Sequence, residues 1–496
     1  MKKLNENKIL GITICALMAC GFVILFSYST SIFYKYYFGG DSAQFLTIGR
    51  GWYFGKIPYI DLMDHKGPFI FWVNYLGYLF TGGNGTIGVM FIQILFASFS
   101  AFAFYKIASL YIDSNIVKWL IAFATFAFMK QNYVDGNTVE EYCLPFISWS
   151  FYYILKYLRD GKVREHDYKV SLIYGMTVGV CFLTRLTNCI VIVGGVFCVL
   201  LILLRNKLWI NILQNLLFGL LGVAILVLPF VVYFALKGAL YEFLYGTILF
   251  NLKYASKSAT WIDDCSVYDI LQFLRMYIMS WIILPLGVYN FFEKKYNMSL
   301  FCILTGIMEV YLYTHGFLFE QYPLVCAPQL ILFWAMMIDV IKRKRNLIIR
   351  CTAILVLISF FVLMVIICKD AINGSVGTYR KSHNRKEREW ECLVDEIPVD
   401  DLDKFVVSGD YSNSFKEVYL LKEIQPCYKY FVIQQFHAEF SDDLKEHIRN
   451  EFLSCKAKYI LTTTDVRDSW EILDILDKYY YEYDRTQNYC LLKRNN

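Results

Sequence analysis

Charge is what this sequence has least of. Of 496 residues, Asp, Glu, Lys and Arg make up 18%, whereas 57% are hydrophobic and 18% aromatic. Soluble globular chains carry about a quarter charged residues. The apolar excess calls for lipid as solvent, which excludes a cytosolic enzyme, a nucleic-acid binder and a disordered scaffold. A net charge of +5 implies no polyanionic partner. Metal-binding and nucleotide-binding signatures are missing as well. No CxxC or Cys/His cluster occurs, so a structural zinc site is not expected. No GxGxxG or Walker motif occurs either. Many of the 15 cysteines lie inside apolar runs (Cys15, Cys20, Cys181, Cys189, Cys198, Cys302, Cys368) and read as small buried residues. There is no internal repeat and no low-complexity tract.

What is present is a series of apolar runs. After Lys2, Lys3 and Lys8 comes a run from Ile9 to Ser29, read as an uncleaved first span because no small-residue cleavage site follows it. Runs long enough to cross a bilayer follow at 87–111, 116–131, 141–158, 169–184, 187–204, 211–236, 270–292, 298–316, 322–341 and 347–368. Gly67–Thr81 is apolar and aromatic but only about fifteen residues long. If it does not cross, the basic loops Lys156–Lys169, Arg205–Lys207, Lys294–Lys295 and Lys342–Arg350 all fall on the cytoplasmic side; if it crosses, the bias reverses. The positive-inside rule selects the first arrangement. It predicts about eleven spans, a cytoplasmic N-terminus, and residues 31–86, 130–140, 237–269 and everything after Lys369 outside.

After Lys369 the composition turns polar. A linker is expected over 370–390 and a small α/β domain over 391–496, with strands near Phe405–Val407, Tyr430–Ile433 and Lys458–Leu461 and helices over 441–453 and 466–478. The expected fold class is therefore mostly α: a polytopic membrane domain, 1–369, with a small C-terminal α/β extracytoplasmic domain. Cys392, Cys427, Cys455 and Cys490 lie in that domain, where pairing and free thiols both stay open.

Polar residues gather at the outer ends of spans. The first outer loop holds Gly39-Gly40-Asp41-Ser42, Arg50, Lys56, Asp61 and Asp64-His65-Lys66-Gly67-Pro68, with residues 42–54 patterned as an interfacial helix. A carboxylate with returning cations can hold a base and a phosphate together; the plain alternative is a solvated loop that anchors the membrane surface. Asp135, Glu140 and Glu141 lie within seven residues at a second boundary, where Thr138 and Glu141 would make a capping box that explains only one of the three acids. Arg185, between two spans, is a functional candidate or a snorkelling side chain. His315 reads more readily as a hydrogen-bonded structural residue than as a ligand, and Asp263-Asp264 as a turn.

These residues carry a resemblance. Asp41 just past the first span, the Gly-Lys-x-Pro-Tyr-x-Asp run and Asp-His-Lys-Gly-Pro resemble the first outer loop of the GT-C glycosyltransferases, and more narrowly the bacterial protein-O-mannosyltransferase and aminoarabinose-transferase group. Asn-Thr-Val-Glu-Glu-Tyr, Thr-Arg-Leu-Thr-Asn and Gln-Tyr-Pro fit the same branch, although only the first-loop motif is specific. The resemblance implies an integral protein of the plasma membrane that moves a sugar, with inversion, from a polyprenyl phosphate to a hydroxyl of a cell-envelope glycan, lipid or protein. It implies Asp41 as general base, Lys66 and Arg185 on the donor phosphate, and Asp64, His65, Asp135, Glu140, Glu141 and Tyr322 on sugar or acceptor. Two departures stand out: Asp41-Ser42 replaces Asp-Glu, and Gln321-Tyr322 replaces His-Tyr. A metal site built on that second motif is thus not expected; Asp64, His65 and His315 are the substitutes available for a divalent cation. Alternative functions are an O-antigen-type polymerase or ligase, disfavoured by the absence of Arg and His from 237–269, and a transporter, disfavoured because the ionisable residues avoid mid-membrane.

Overall fold

A computed structural model describes residues 2–159, 165–257, 265–315, 318–409, 413–464 and 472–495. The protein divides into two compact units. One comprises Met1–Ser27, Met90–Phe230 and Ser258–Val376, the other Tyr28–Val89, Val231–Lys257 and Gly377–Asn496.

The first unit is helical. Among the described residues, six helices are long and apolar enough to cross a membrane: Ile9–Phe26, Gly85–Ala108, Leu186–Arg205, Trp209–Leu236, Tyr322–Arg343 and Leu347–His383, some of them running on into the second unit. A seventh forms if Val267–Met276 and Ile278–Phe292, bent by 67°, count as one span. The other runs expected to span are helices too: Asn115–Met129, Val139–Arg159, Ser171–Phe182 and Tyr296–Thr314. Buried side-chain hydrogen bonds join these helices, as expected where lipid offers no hydrophobic drive for helix association. Gln93 Nε2 donates to Ser27 Oγ at 3.0 Å and to Glu141 Oε2 at 2.9 Å, and Ser150 Oγ lies 2.7 Å from Thr177 Oγ1. The bend at Tyr277 frees carbonyls that need partners in an apolar setting. Gln131 donates to the Arg275 carbonyl, Asn132 to that of Met276, and the Trp281 indole to that of Leu274.

The expected linker over 370–390 differs in form. Leu347–His383 is one 37-residue helix, roughly 55 Å at 1.5 Å per residue. It therefore outruns a hydrocarbon core of about 30 Å, and its polar last turns occupy most of the expected linker. Pro68–Thr81, with proline at its first position, stops at Gly82 in the left-handed conformation. Its 14 residues span about 21 Å, too little to cross.

The second unit holds a four-stranded sheet of order β1-β2-β4-β3, with β1 Phe405–Ser408, β2 Tyr459–Thr463, β3 Tyr480–Arg485 and β4 Tyr489–Arg494. β1 and β2 are parallel, with Val406 opposite Ile460; β4 runs antiparallel to both β2 and β3. A parallel pair needs a crossover, which includes the helices Gln434–Phe440 and Asp442–Leu453. Tyr430–Ile433, expected as a strand, is not one. The amides of Lys429 and Tyr430 donate to the Glu451 carboxylate, and Ile433 takes φ 49°. The β3–β4 hairpin lies where no strand was expected, and 466–471 of the expected helix lies outside the described residues. Among the described residues no disulfide joins any of the cysteines. In the same unit, Gly40–Tyr53 packs on Pro68–Thr81 so closely that a Cβ on Gly49 would stand 2.5 Å from Asn74 Cβ.

Candidate active site

Asp41 sits in the first turn of Gly40–Tyr53. Gly39 at φ 69° lets the chain turn into that helix, whose N-terminal end favours a carboxylate. Segment 413–424 docks onto this turn. Lys416 Nζ lies 3.2 Å from Asp41 Oδ1, with the lysine side chain 9% exposed and the aspartate side chain 53%. The neighbouring Glu417, ion-paired with Arg388, accepts the Phe38 amide at 3.0 Å. Arg50, one face along the same helix, donates to the carbonyls of Tyr419 at 3.1 Å and Glu423 at 2.7 Å. Desolvation acts to raise the Asp41 pKa, but the charges of Lys416 and Lys66 and the Lys416 hydrogen bond outweigh it and hold the group below its ordinary value.

The loop that returns to Asp41 is held by its own polar groups. Asp61 Oδ2 accepts the Ile57 amide at 2.7 Å, Lys56 Nζ donates to the Pro426 carbonyl, and the Met63 amide to the Lys429 carbonyl. Tyr59, buried at φ 71°, donates its hydroxyl to the Lys66 carbonyl at 2.7 Å. Asn251 donates to the His65 carbonyl at 2.7 Å from just beyond the π-helical turn Tyr245–Leu249.

This scaffold fixes three consecutive groups. Asp64 is buried and accepts the Lys66 amide at 2.9 Å. Burial raises its pKa to about 6, against the opposing charge of Lys66. His65 Nε2 lies 3.0 Å from Lys66 Nζ and its Nδ1 lies 3.5 Å from Asp64 Oδ1. Burial first, then the charge of Lys66, push its pKa well below the usual imidazole value, so the ring is a neutral acceptor towards Lys66. The structure thus brings Asp41, Asp64, His65 and Lys66 into one unit.

Arg185, Glu140, Glu141, Asp135 and Tyr322 belong to the other unit. Arg185 Nη1 lies 3.5 Å from Glu140 Oε1, and its guanidinium carbon lies 3.1 Å from the centre of the Tyr322 ring. Both oxygens of Glu141 are engaged: Oε1 by the Tyr133 hydroxyl at 2.5 Å, Oε2 by Gln93 and by the Asn137 amide at 3.0 Å. Half of the expected capping box exists, since Glu141 also takes the Thr138 amide but the Thr138 hydroxyl has no partner among the described residues. Asp135 is partly buried, within electrostatic reach of Lys130.

A divalent cation does not fit these residues. Among the described residues, no three His, Cys, Asp or Glu gather as ligands. Lys66 occupies His65 Nε2, and Lys416 occupies one oxygen of Asp41. His315 stacks on Tyr311 and is 2.9 Å from its carbonyl, as a structural histidine would be. Asp263-Asp264 and Gly316-Phe317 lie outside the described residues.

Sequence reasoning missed Lys416, Glu417, Arg388 and His437. Lys416 lies 375 positions from Asp41, in a polar stretch whose periodicity singles out no residue. His437 is fully buried among Phe250, Phe436 and Tyr430, beside His65, and neither ring nitrogen has a partner among the described residues.

Residues 65–233 match the family model for dolichyl-phosphate-mannose-protein mannosyltransferase. ArnT from Cupriavidus metallidurans in the apo state superposes with a TM-score of 0.55 at 12% identity, covering 99% of this chain and 98% of that one. The chain has the ArnT-like fold. The same ArnT bound to undecaprenyl phosphate matches at 0.53 and 11% identity, covering 98% of each chain. The archaeal oligosaccharyltransferase AglB from Archaeoglobus fulgidus, in complex with an inhibitory peptide and a dolichol phosphate, matches at 0.52 and 12%, covering 97% of this chain and 74% of that one. At such identities the likeness is one of fold. No curated protein matches this chain by sequence.

Proposed function

We propose that this enzyme transfers a sugar from a polyprenyl-phosphate donor to an acceptor hydroxyl at the outer face of the membrane, with inversion and with Asp41 as general base. The observation that carries the reading is the state of Asp41. It is kept ionised at a helix N-terminus, one oxygen is held by Lys416, and the other has no partner among the described residues. That free oxygen takes the acceptor hydroxyl proton as the acceptor oxygen bonds to the anomeric carbon. The bond from that carbon to the phosphate oxygen breaks, its electron pair stays on the phosphate, and the lipid phosphate departs. A single displacement inverts the centre.

The growing charge on the leaving phosphate needs cations. Lys66 is the nearest candidate, its ammonium fixed by the neutral His65. Arg185 offers a planar donor edge steadied by Glu140 and by the Tyr322 ring, a geometry that suits phosphate. Asp64, Asp135, Glu140 and Tyr322 are left to orient sugar or acceptor hydroxyls, while Glu141 pins its helix. The polyprenyl-phosphate class of donor is supported by the lipid phosphates bound to ArnT and AglB. The acceptor class is a cell-envelope glycan, lipid or protein.

The test is turnover by purified protein in lipid with a panel of radiolabelled polyprenyl-phosphate sugars. Consumption of one donor with release of the free lipid phosphate supports the proposal. Folded protein that neither binds nor consumes any of them contradicts it.

A further inference from the structure

We infer that Lys416, delivered by the C-terminal segment, is a positioning residue for Asp41: it holds one carboxylate oxygen and leaves the other aimed at the acceptor. This rests on the reading of Asp41 as base. Three observations carry it. Lys416 is a buried ammonium whose only hydrogen-bond partner among the described residues is Asp41. Burying an ammonium is costly unless it is paired, so the site keeps Lys416 for that partner. The pair is asymmetric, with the lysine buried and the aspartate half exposed; an ion pair that served packing alone would bury both members. Finally, the contact is made in register with its neighbours. Glu417 takes the Phe38 amide, Arg50 holds the Tyr419 and Glu423 carbonyls, and Leu420 packs against the cluster of Leu46, Tyr78 and Val89. The segment 413–424 is therefore built onto the turn that carries Asp41.

The charged and titratable groups facing Asp41 are Lys416, Lys66 and Asp64, with the neutral His65 beyond them. Removing the positive charge of Lys416 favours the protonated carboxyl, so the pKa of Asp41 rises and the acid limb of transfer moves to higher pH. A shift of half a unit to one unit multiplies the protonated fraction above the pKa by about three to ten.

The experiment uses full-length protein in lipid nanodiscs and two readouts. The first is the rate at which dicyclohexylcarbodiimide, which reacts with the protonated carboxyl, labels Asp41 at pH 5.5, followed by mass spectrometry. The second is the pH profile of sugar transfer. Lys416→Gln is expected to label about three- to tenfold faster at Asp41 than wild type and to lose transfer at higher pH, while Lys416→Arg stays near wild type in both. Should Lys416→Gln fail to fold, Lys416→Met carries the same expectation. Unchanged labelling together with an unchanged acid limb in a folded charge-removed variant overturns the inference, even if transfer is slower. If Asp41→Asn transfers sugar like wild type, the base assignment fails, and the labelling rates still decide whether Lys416 holds Asp41 ionised.

Discussion

The Lys66 ammonium donates to Nε2 of His65 across 3.0 Å. That bond requires a neutral imidazole with its proton on Nδ1, facing Asp64 Oδ1 at 3.5 Å. His65 is thereby a fixed acceptor that positions a cation, which gives the buried histidines of this unit a measurable signature.

Burial first, and then neighbouring positive charge, depress the pKa of His65 well below its usual value, and burial takes His437 to about 3. An unfolded chain binds both protons near pH 6.5, whereas the folded one binds them only at lower pH. Their stabilisation is present above pH 6.5 and is lost on acidification, each at up to about 1.4 kcal/mol per pH unit. Asp64, raised to about 6, works the other way between pH 6 and its unfolded value, and so do Glu417 and Glu451, which burial also raises. The histidine contribution is therefore read as a difference: from pH 7 to pH 5 the unfolding temperature of wild type should fall relative to that of His437→Phe. An identical slope in that variant would refute the assignment.

Arg50 clamps the carbonyls that end the helix Val418–Leu421. Arg50→Ala should lose about 1.5–3 kcal/mol of local stability, the range for hydrogen bonds to a charged donor. Hydrogen exchange over 416–424 should then accelerate by about one to two orders of magnitude, in step with that loss. Exchange at the wild-type rate would show that the docking of this segment does not depend on Arg50.

The Arg185 guanidinium carbon lies 3.1 Å from the centre of the Tyr322 ring, and a lysine cannot reproduce a planar donor held over an aromatic face. Arg185→Lys should cut transfer at least tenfold with expression and thermal stability retained. Activity within twofold of wild type would remove Arg185 from the donor-binding residues.

Pro68–Thr81 is too short to cross, which leaves Asn84 on the same side as Asp41. Asn84 is exposed, and its side-chain oxygen accepts from Thr86. Asn84→Cys in intact cells should react with an impermeant maleimide, above the wild-type background from the exposed Cys392. Protection of that cysteine would place residues 82–86 inside and invert every later loop.

Helices were legible because lipid exposure leaves a continuous apolar run. The run 270–292 reads as one span because no proline or glycine marks the break at Tyr277; what permits the break is capping by Gln131, Asn132 and Trp281. In the polar C-terminal region the apolar pattern weakens. Phe405–Ser408 and Tyr459–Thr463 are buried enough to read as strands, whereas the edge strand Tyr480–Arg485 is mostly exposed and carries no such mark. The Asp41 and Asp64-His65-Lys66 cluster was legible because its members share one short loop. Lys416 and His437 were not, because chain folding alone brings them there and neither belongs to a spaced motif.

The most direct test of the central claim compares Asp41→Asn with Asp61→Asn in sugar transfer from the responding polyprenyl-phosphate donor, in protein shown to be folded. Asp61 is a loop cap, accepting the Ile57 amide at 2.7 Å, so its amide variant should cost about 1 kcal/mol of stability and leave transfer within threefold. Asp41→Asn should lower transfer by at least a factor of about a hundred while donor binding persists, as expected for loss of a general base. Equal, modest losses in the two variants would contradict the account and return Asp41 to the role of an interfacial charge.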